Sequence, residues 1–299
     1  MNDNDPLSAD IAVARLKKYI ANEEGRILLY DLLINEVENI RTKFNKISNI
    51  GLYPNRENLK PKLDYFLENL DILIPLVING VYWCKQYHHQ YFIDVMRRIS
   101  QPQLSNGSRH DDTVNFEYLP SSLLFYAIGI TAVIKQDFEL LNLFFNIKIQ
   151  RIDNNDSESI YLIETLQPNK IPRDIFNEII NQSYKTPVST YLRLHLRPFF
   201  QKIMFNDKEY TNVFDIFEYL ISLNYMHLVK SNYSTWAPWG EYKWRNDQYY
   251  KTDSFLSTFL NDKKEGIQLA INSGMFDGST ETYDLTNLKL KEFLNQIHI

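Results

Sequence analysis

Apolar residues recur at steps of three and four over most of the chain. The glycine and proline breaks that a strand-rich fold needs are scarce, 9 Gly and 11 Pro in 299 residues, so the pattern predicts helices. Ser8 and Asp10 are placed to cap a first helix with apolar positions Ile11, Ala14, Leu16, Tyr19 and Ile20. A second spans about residues 25–47, with Ile27, Tyr30, Leu33, Ile34, Val37, Ile40 and Phe44 as its buried stripe. Glu36, Glu38, Arg41 and Lys43 then fall on its solvated faces. Gly51, Pro54 and Pro61 mark a connection, which sets the expected organisation: an N-terminal helical pair over 1–50 and a main helical domain over 51–299.

Beyond that connection, 59–79 and 81–100 form a helical pair closed by Asn79-Gly80, and 101–112 is a polar loop. Leu119-Pro120-Ser121-Ser122 opens the most apolar segment. Its Leu123, Leu124, Tyr126, Ala127, Ile130, Ala132, Val133 and Ile134 cover nearly every face, so this helix is expected to be central and buried. After a turn at Gln136-Asp137 comes a helix over 138–147. Residues 146–152 alternate weakly, which fits a strand but fits a frayed helix end better. Further helices are expected near 173–182, 188–204, 213–229, 255–273 and 285–297, with 231–250 as a long aromatic loop. The fold class is all-α, an irregular stack of antiparallel helical hairpins.

Composition narrows the class without naming a function. With 44% hydrophobic residues, 23% charged and a net charge of −5, the chain is globular rather than disordered. Cys84, the single cysteine, excludes an intrachain disulfide and fits a reducing compartment. No apolar run approaches the roughly 20 residues of a membrane helix, and the acidic start Met1-Asn2-Asp3-Asn4-Asp5 lacks a signal-peptide layout. The expectation is a cytoplasmic protein with no membrane partner.

Catalytic motifs are missing from the sequence. It contains no Gly-Lys dipeptide and hence no P-loop, no G-x-G-x-x-G, no G-x-S-x-G and no paired CxxC. None of the six histidines has an arginine five residues before it. Cys84 and His88, at i, i+4 beside His89, are the nearest approach to a metal site. No acid or further histidine stands at helical spacing, so Cys84 is expected to be a small core residue and the histidines edge residues. His110-Asp111-Asp112 lies in the polar loop with no nucleophile nearby. No catalytic residue, metal ligand or cofactor is expected.

Two local clusters remain. Arg193, Arg197 and Lys202, near His195, form a basic group able to contact nucleic acid, although Arg193 and Arg197 can equally pair with acids on adjacent helices. The run from Trp236 to Arg245 holds three of the four tryptophans, and aromatics with arginine are the composition of interface hot spots. Trp239, Tyr242 and Arg245 are therefore the candidate partner-binding residues. Trp236 and Trp244 are expected to be buried against the terminal helices, with Trp239 more exposed.

Three blocks carry a resemblance: Tyr82-Trp83 with His88, His89 and the run Val95–Ile99; Tyr118–Val133; and Trp236–Gly240 with Trp244-Arg245. A final Gly274-Met275-Phe276-Asp277-Gly278 is also similar. Together they resemble a helical C-terminal region of bacterial proteins from phage-defence and mobile-element neighbourhoods, where it often follows an effector or DNA-binding-like domain. The similarity spans about residues 60–297 and carries over no catalytic residue. Only about 55 residues precede it, so the usual N-terminal domain is expected to be missing. The resemblance implies a non-enzymatic scaffold or sensor subunit of an antiphage defence system, acting through a separately encoded effector. The alternatives are a nucleic-acid-binding protein and a nuclease whose site is unreadable from sequence. Homo-oligomerisation is left open.

Overall fold

The computed structural model describes residues 8–46, 55–101, 111–153, 156–229, 236–247, 255–262 and 265–297. The fold is all-α, and strand among the described residues is confined to one two-stranded hairpin. The chain forms two compact units, residues 1–131 and 132–299.

In the first unit, α1 (Ala9–Ala21) starts at Ser8, whose hydroxyl accepts the Ile11 amide. Helix α2 (Arg26–Asn45) buries Leu29, Leu33, Val37, Ile40 and Phe44. This stripe is rotated from the expected one: Ile27 faces solvent, while Glu36 is buried and its carboxyl is pushed above the ordinary range by that burial. Next come α3 (Arg56–Leu70), α4 (Leu73–Trp83), α5 (His89–Ile99), α6 (Asp111–Glu117) and α7 (Leu119–Lys135), which crosses into the second unit.

Three expectations fail here for packing reasons. Pro61 lies inside α3 rather than in a connection. Gly80 lies inside α4 rather than at a turn; a Cβ there would stand 2.8 Å from the Phe92 ring, so its smallness lets α5 pack close. The division expected at 50/51 is also absent, because α1 packs on α4 and α2 on α5, tying the first two helices to their successors in the same unit. Helix α7 matches expectation, buried on every face from Leu119 to Val133, with Leu124 and Ile130 inaccessible.

The second unit continues with α8 (Phe138–Phe145), entered through Gln136 at positive φ and capped by the Asp137 side chain. The segment favoured as a frayed helix end is strand β1 (Lys148–Asp153), which pairs antiparallel with β2 (Asp156–Tyr161). Ile149 sits opposite Ile160 and both are buried, so the alternation reported a one-sided hairpin. Then follow α9 (Arg173–Ile180), α10 (Pro187–Phe200) and α11 (Asp207–Leu228). After these come α12 (Glu241–Asp247), α13 (Phe255–Asn261), α14 (Ile267–Asn272) and α15 (Thr280–Gln296). Helix α11 is the axis of this unit, packed on by α10, α12, α13 and α15. The expected aromatic loop thus contains a helix, α12, which the polar-aromatic mix concealed.

Candidate functional site

Helix α11 brings acid into the core. Asp215, Glu218 and Ser222 recur at steps of three and four on its buried side, among Phe214, Phe217 and Ile221. Acids there need partners, and the segment 236–245 supplies them. Arg245 grips Asp215 with Nε at 2.8 and 3.0 Å and with a further bond from Nη2. Its Nη1 donates to Glu241 at 2.8 Å. Glu241 also receives Arg193 Nε at 2.5 Å and the Thr190 hydroxyl at 2.7 Å. The order is Asp215, Arg245, Glu241, Arg193, with charges alternating in sign. Burial pushes Asp215 upward against the opposing pull of Arg245. Burial acts the same way on Glu241, but Arg193 and Arg245 outweigh it and hold that carboxyl below its usual range.

Glu218 stands apart from this chain of pairs. Its residue is 3% exposed, and burial pushes its carboxyl up to about 8, only partly opposed by the Ser189 hydroxyl, which donates to it at 2.6 Å. Ser189 Oγ in turn accepts the Glu241 amide at 2.9 Å. A Cβ on Gly240 would fall 2.2 Å from the Glu218 carboxyl, so glycine is what lets this backbone approach. One turn further, the Ser222 hydroxyl donates to the Pro238 carbonyl at 2.6 Å and lies 2.8 Å from the Tyr242 hydroxyl. Ser189 and Glu218 have the chemistry of a nucleophile and a base, but Ser189 is 0% exposed. Both groups are closed off from solvent, and their hydrogen bond ties α10 to α11.

The two candidate clusters from the sequence are therefore joined through Glu241. Arg193 is engaged by Glu241, and Arg197 by Asp207 at 2.6 Å and the Met204 and Phe205 carbonyls. Lys202 is exposed beyond the end of α10. Tyr242 is 1% exposed, and Arg245 points to Asp215 and Glu241. Arg245 turns to α11 because Asp215 stands in its buried stripe, and Tyr242 because its ring packs on Tyr219 with its hydroxyl at Ser222. Trp239 is half-buried, and so are Trp236 and Trp244, so the expected split among the three is not present. Trp236 packs edge-on to Tyr225 and Phe293, and Trp239 edge-on to Trp244, over whose ring the Lys185 ammonium lies at 4.6 Å.

The Cys84–His88 pair is also resolved differently. Helix α4 ends at Trp83, so the two residues do not share a helix. Cys84, His88 and His89 are all buried; the Cys84 thiol donates to the Val81 carbonyl, and His88 Nδ1 accepts the Lys85 amide at 3.2 Å. His110 lies outside the described residues, and Asp111 and Asp112 open α6. A shallow cleft in the second unit, lined by Glu164, Gln167, Lys170, Tyr225 and Trp236, encloses about 270 Å³, below the roughly 300–1,000 Å³ usual for ligand sites.

The first unit presents a second aromatic–cation cluster, and this one is open. Trp83 is 53% exposed and Tyr87 39%. The Arg26 guanidinium lies over the Tyr87 ring at 4.0 Å, with the Lys85 ammonium at 5.9 Å; Lys17 approaches Trp83 at 5.8 Å. Ile27 and Leu28, in the same turn of α2 as Arg26, are 73% and 50% exposed. The sequence offered little warning of this cluster. Trp83 belongs to a block singled out only by resemblance, and Ile27 was expected in the core.

Comparison with models of known families, with curated proteins and with solved structures gives no match.

Proposed function

We propose that the protein is a non-enzymatic helical scaffold or sensor subunit that works through contacts with a separately encoded effector. The observation that carries this reading is in the first unit, where Tyr87 stands exposed under the Arg26 guanidinium and Trp83 stands exposed near Lys17. Half-exposed Trp and Tyr with Arg are the residues that dominate interface energetics. The pairing of Arg193 with half-buried Glu241 takes its donors away from a phosphate-binding role, and the Ser189–Glu218 pair is closed off from solvent. The proposed setting, bacterial antiphage defence, is supported by the resemblance of the Tyr82–Ile99, Tyr118–Val133 and Trp236–Arg245 blocks.

The test is co-expression with the products of the adjacent genes, followed by affinity purification of this chain. The expected result is a stoichiometric partner that Trp83→Ala releases, with a loss of about 2 kcal/mol or more in affinity. Divalent-metal-dependent cleavage of DNA or RNA by the purified chain, with no partner retained, would replace this reading with the nuclease alternative.

A further inference from the structure

The shallow cleft of the second unit gathers two rings, an acid, an amide and a base on one small surface. These are Trp236, Tyr225, Glu164, Gln167 and Lys170, with Ile160 as an aliphatic patch. We propose that this cleft binds a small zwitterion, a free amino acid with an aliphatic side chain. Its ammonium is held by Glu164 and the rings, and its carboxylate by Lys170. This site is independent of the interaction reading above.

The fold holds the walls in place. Trp236 meets Tyr225 edge-on at 5.4 Å, with the ring planes 79° apart. Aromatic rings set at an angle, with a carboxylate beside them, suit an alkylammonium group. Burial pushes the Tyr225 hydroxyl upward; the Gln167 side chain, hydrogen-bonded to it, opposes the shift, and the nearby Glu164 carboxylate adds to it. The segment bearing Trp236 is tied down twice. The Pro238 carbonyl accepts the Ser222 hydroxyl, and the Trp239 amide donates to Asn169 Oδ1 at 3.1 Å. Asn169 belongs to the short helix Pro168–Lys170, so the wall with Trp236 is fastened to the element that carries Lys170.

The charges select the ligand class. An anion alone meets Glu164 and a cation alone meets Lys170, both within about 270 Å³, and like charges brought together repel. A zwitterion gives each side chain its opposite. Both have bonding capacity for it. Glu164 Oε1 accepts the Tyr161 amide at 2.8 Å, which leaves further carboxylate lone pairs, and a lysine ammonium carries three donors. The volume falls just short of the roughly 300 Å³ at which drug-sized sites begin, so the occupant is small. Ile160 and the two rings supply the apolar contact that an aliphatic side chain needs.

The experiment titrates the full chain calorimetrically with leucine, with isoamylamine, which lacks the carboxylate, and with isocaproate, which lacks the ammonium. Leucine is expected to bind at least about tenfold more tightly than either, as the loss of one charge-assisted hydrogen bond implies. Glu164→Gln keeps an acceptor for the Tyr161 amide. It should weaken leucine about tenfold and leave isocaproate no weaker. Lys170→Met should weaken leucine by a similar factor and leave isoamylamine no weaker. Both variants should keep the wild-type circular dichroism spectrum; if one does not, the three ligands on the wild-type chain decide. Isoamylamine binding as well as leucine overturns the proposal in favour of a cation site, and isocaproate doing so overturns it in favour of an anion site. Leucine binding that neither variant changes, or that the wild-type chain lacks, overturns it outright.

Discussion

Each unit carries a cluster of aromatic rings and arginine, and the two are used in opposite ways. In the second unit the arginines reach buried acid: Arg245 closes on Asp215 and Glu241, Arg193 on Glu241, and Tyr242 is sealed behind them. In the first unit Arg26 lies on the face of Tyr87, its one described acid partner is a solvent-exposed glutamate, and Trp83 remains half in water. The same residue types make a clasp in one place and a surface in the other. What separates them is whether the facing helix carries acid in its core stripe. Helix α11 does, and the segment 236–245 is drawn onto it. The described buried residues of α1 and α4, the helices that carry Lys17 and Trp83, include no acid, and Trp83 stays exposed.

Removing one member of the clasp should have the largest effect. Arg245→Ala leaves Asp215 buried without its cation, and should cost about 3–5 kcal/mol in chemical denaturation. A loss under about 1 kcal/mol would mean that the clasp is no tighter than a surface pair.

Glu218 gives the comparison a pH signature. Its carboxyl titrates near 8 in the folded protein, above the ordinary 4.5. Between those values the folded state holds a proton that the unfolded chain has released. The associated stability is therefore fully present below about 4.5, falls as pH rises, and is gone above about 8. The swing is on the order of 5 kcal/mol. Glu218→Gln should flatten that part of the stability profile, leaving the variant ahead of the wild type at pH about 9; parallel profiles would show that Glu218 is not the responsible group.

Gly240→Ala tests the close approach directly. The added methyl meets the Glu218 carboxyl, and rearrangement in so tight a site should cost about 1–3 kcal/mol. An unchanged melting temperature would show that the carboxyl swings aside freely.

The smallest effect on folding belongs to the open cluster. Arg26→Ala and Trp83→Ala should each shift stability by about 0.5 kcal/mol or less, as surface substitutions do, while Trp83→Ala still weakens the partner complex. If either unfolds the protein, the cluster is a second clasp and the contrast between the units collapses.

Much of the helix order comes from periodicity, since a spacing of three and four needs only a nearby core to be satisfied. Ser8 as a cap, Leu119–Val133 as a helix buried on all sides, and α9, α10, α11 and α15 were all legible on that basis. Local sequence was a poor guide wherever a distant segment decided the outcome. Gly80 is inside a helix because Phe92 must come close, and Ile149 is in a strand because Ile160 pairs with it. The clasp had a signal, Asp215 and Glu218 set into the apolar run Phe214–Leu223, but their partners Arg245, Ser189 and Tyr242 lie 24 to 30 residues away in sequence. The composition of 236–245 identified a place where arginine and aromatics matter, and by itself determined no more than that. Whether those side chains turn inward or outward is set by the charge on the surface they meet, and only the packing of α12 on α11 places that charge beneath them.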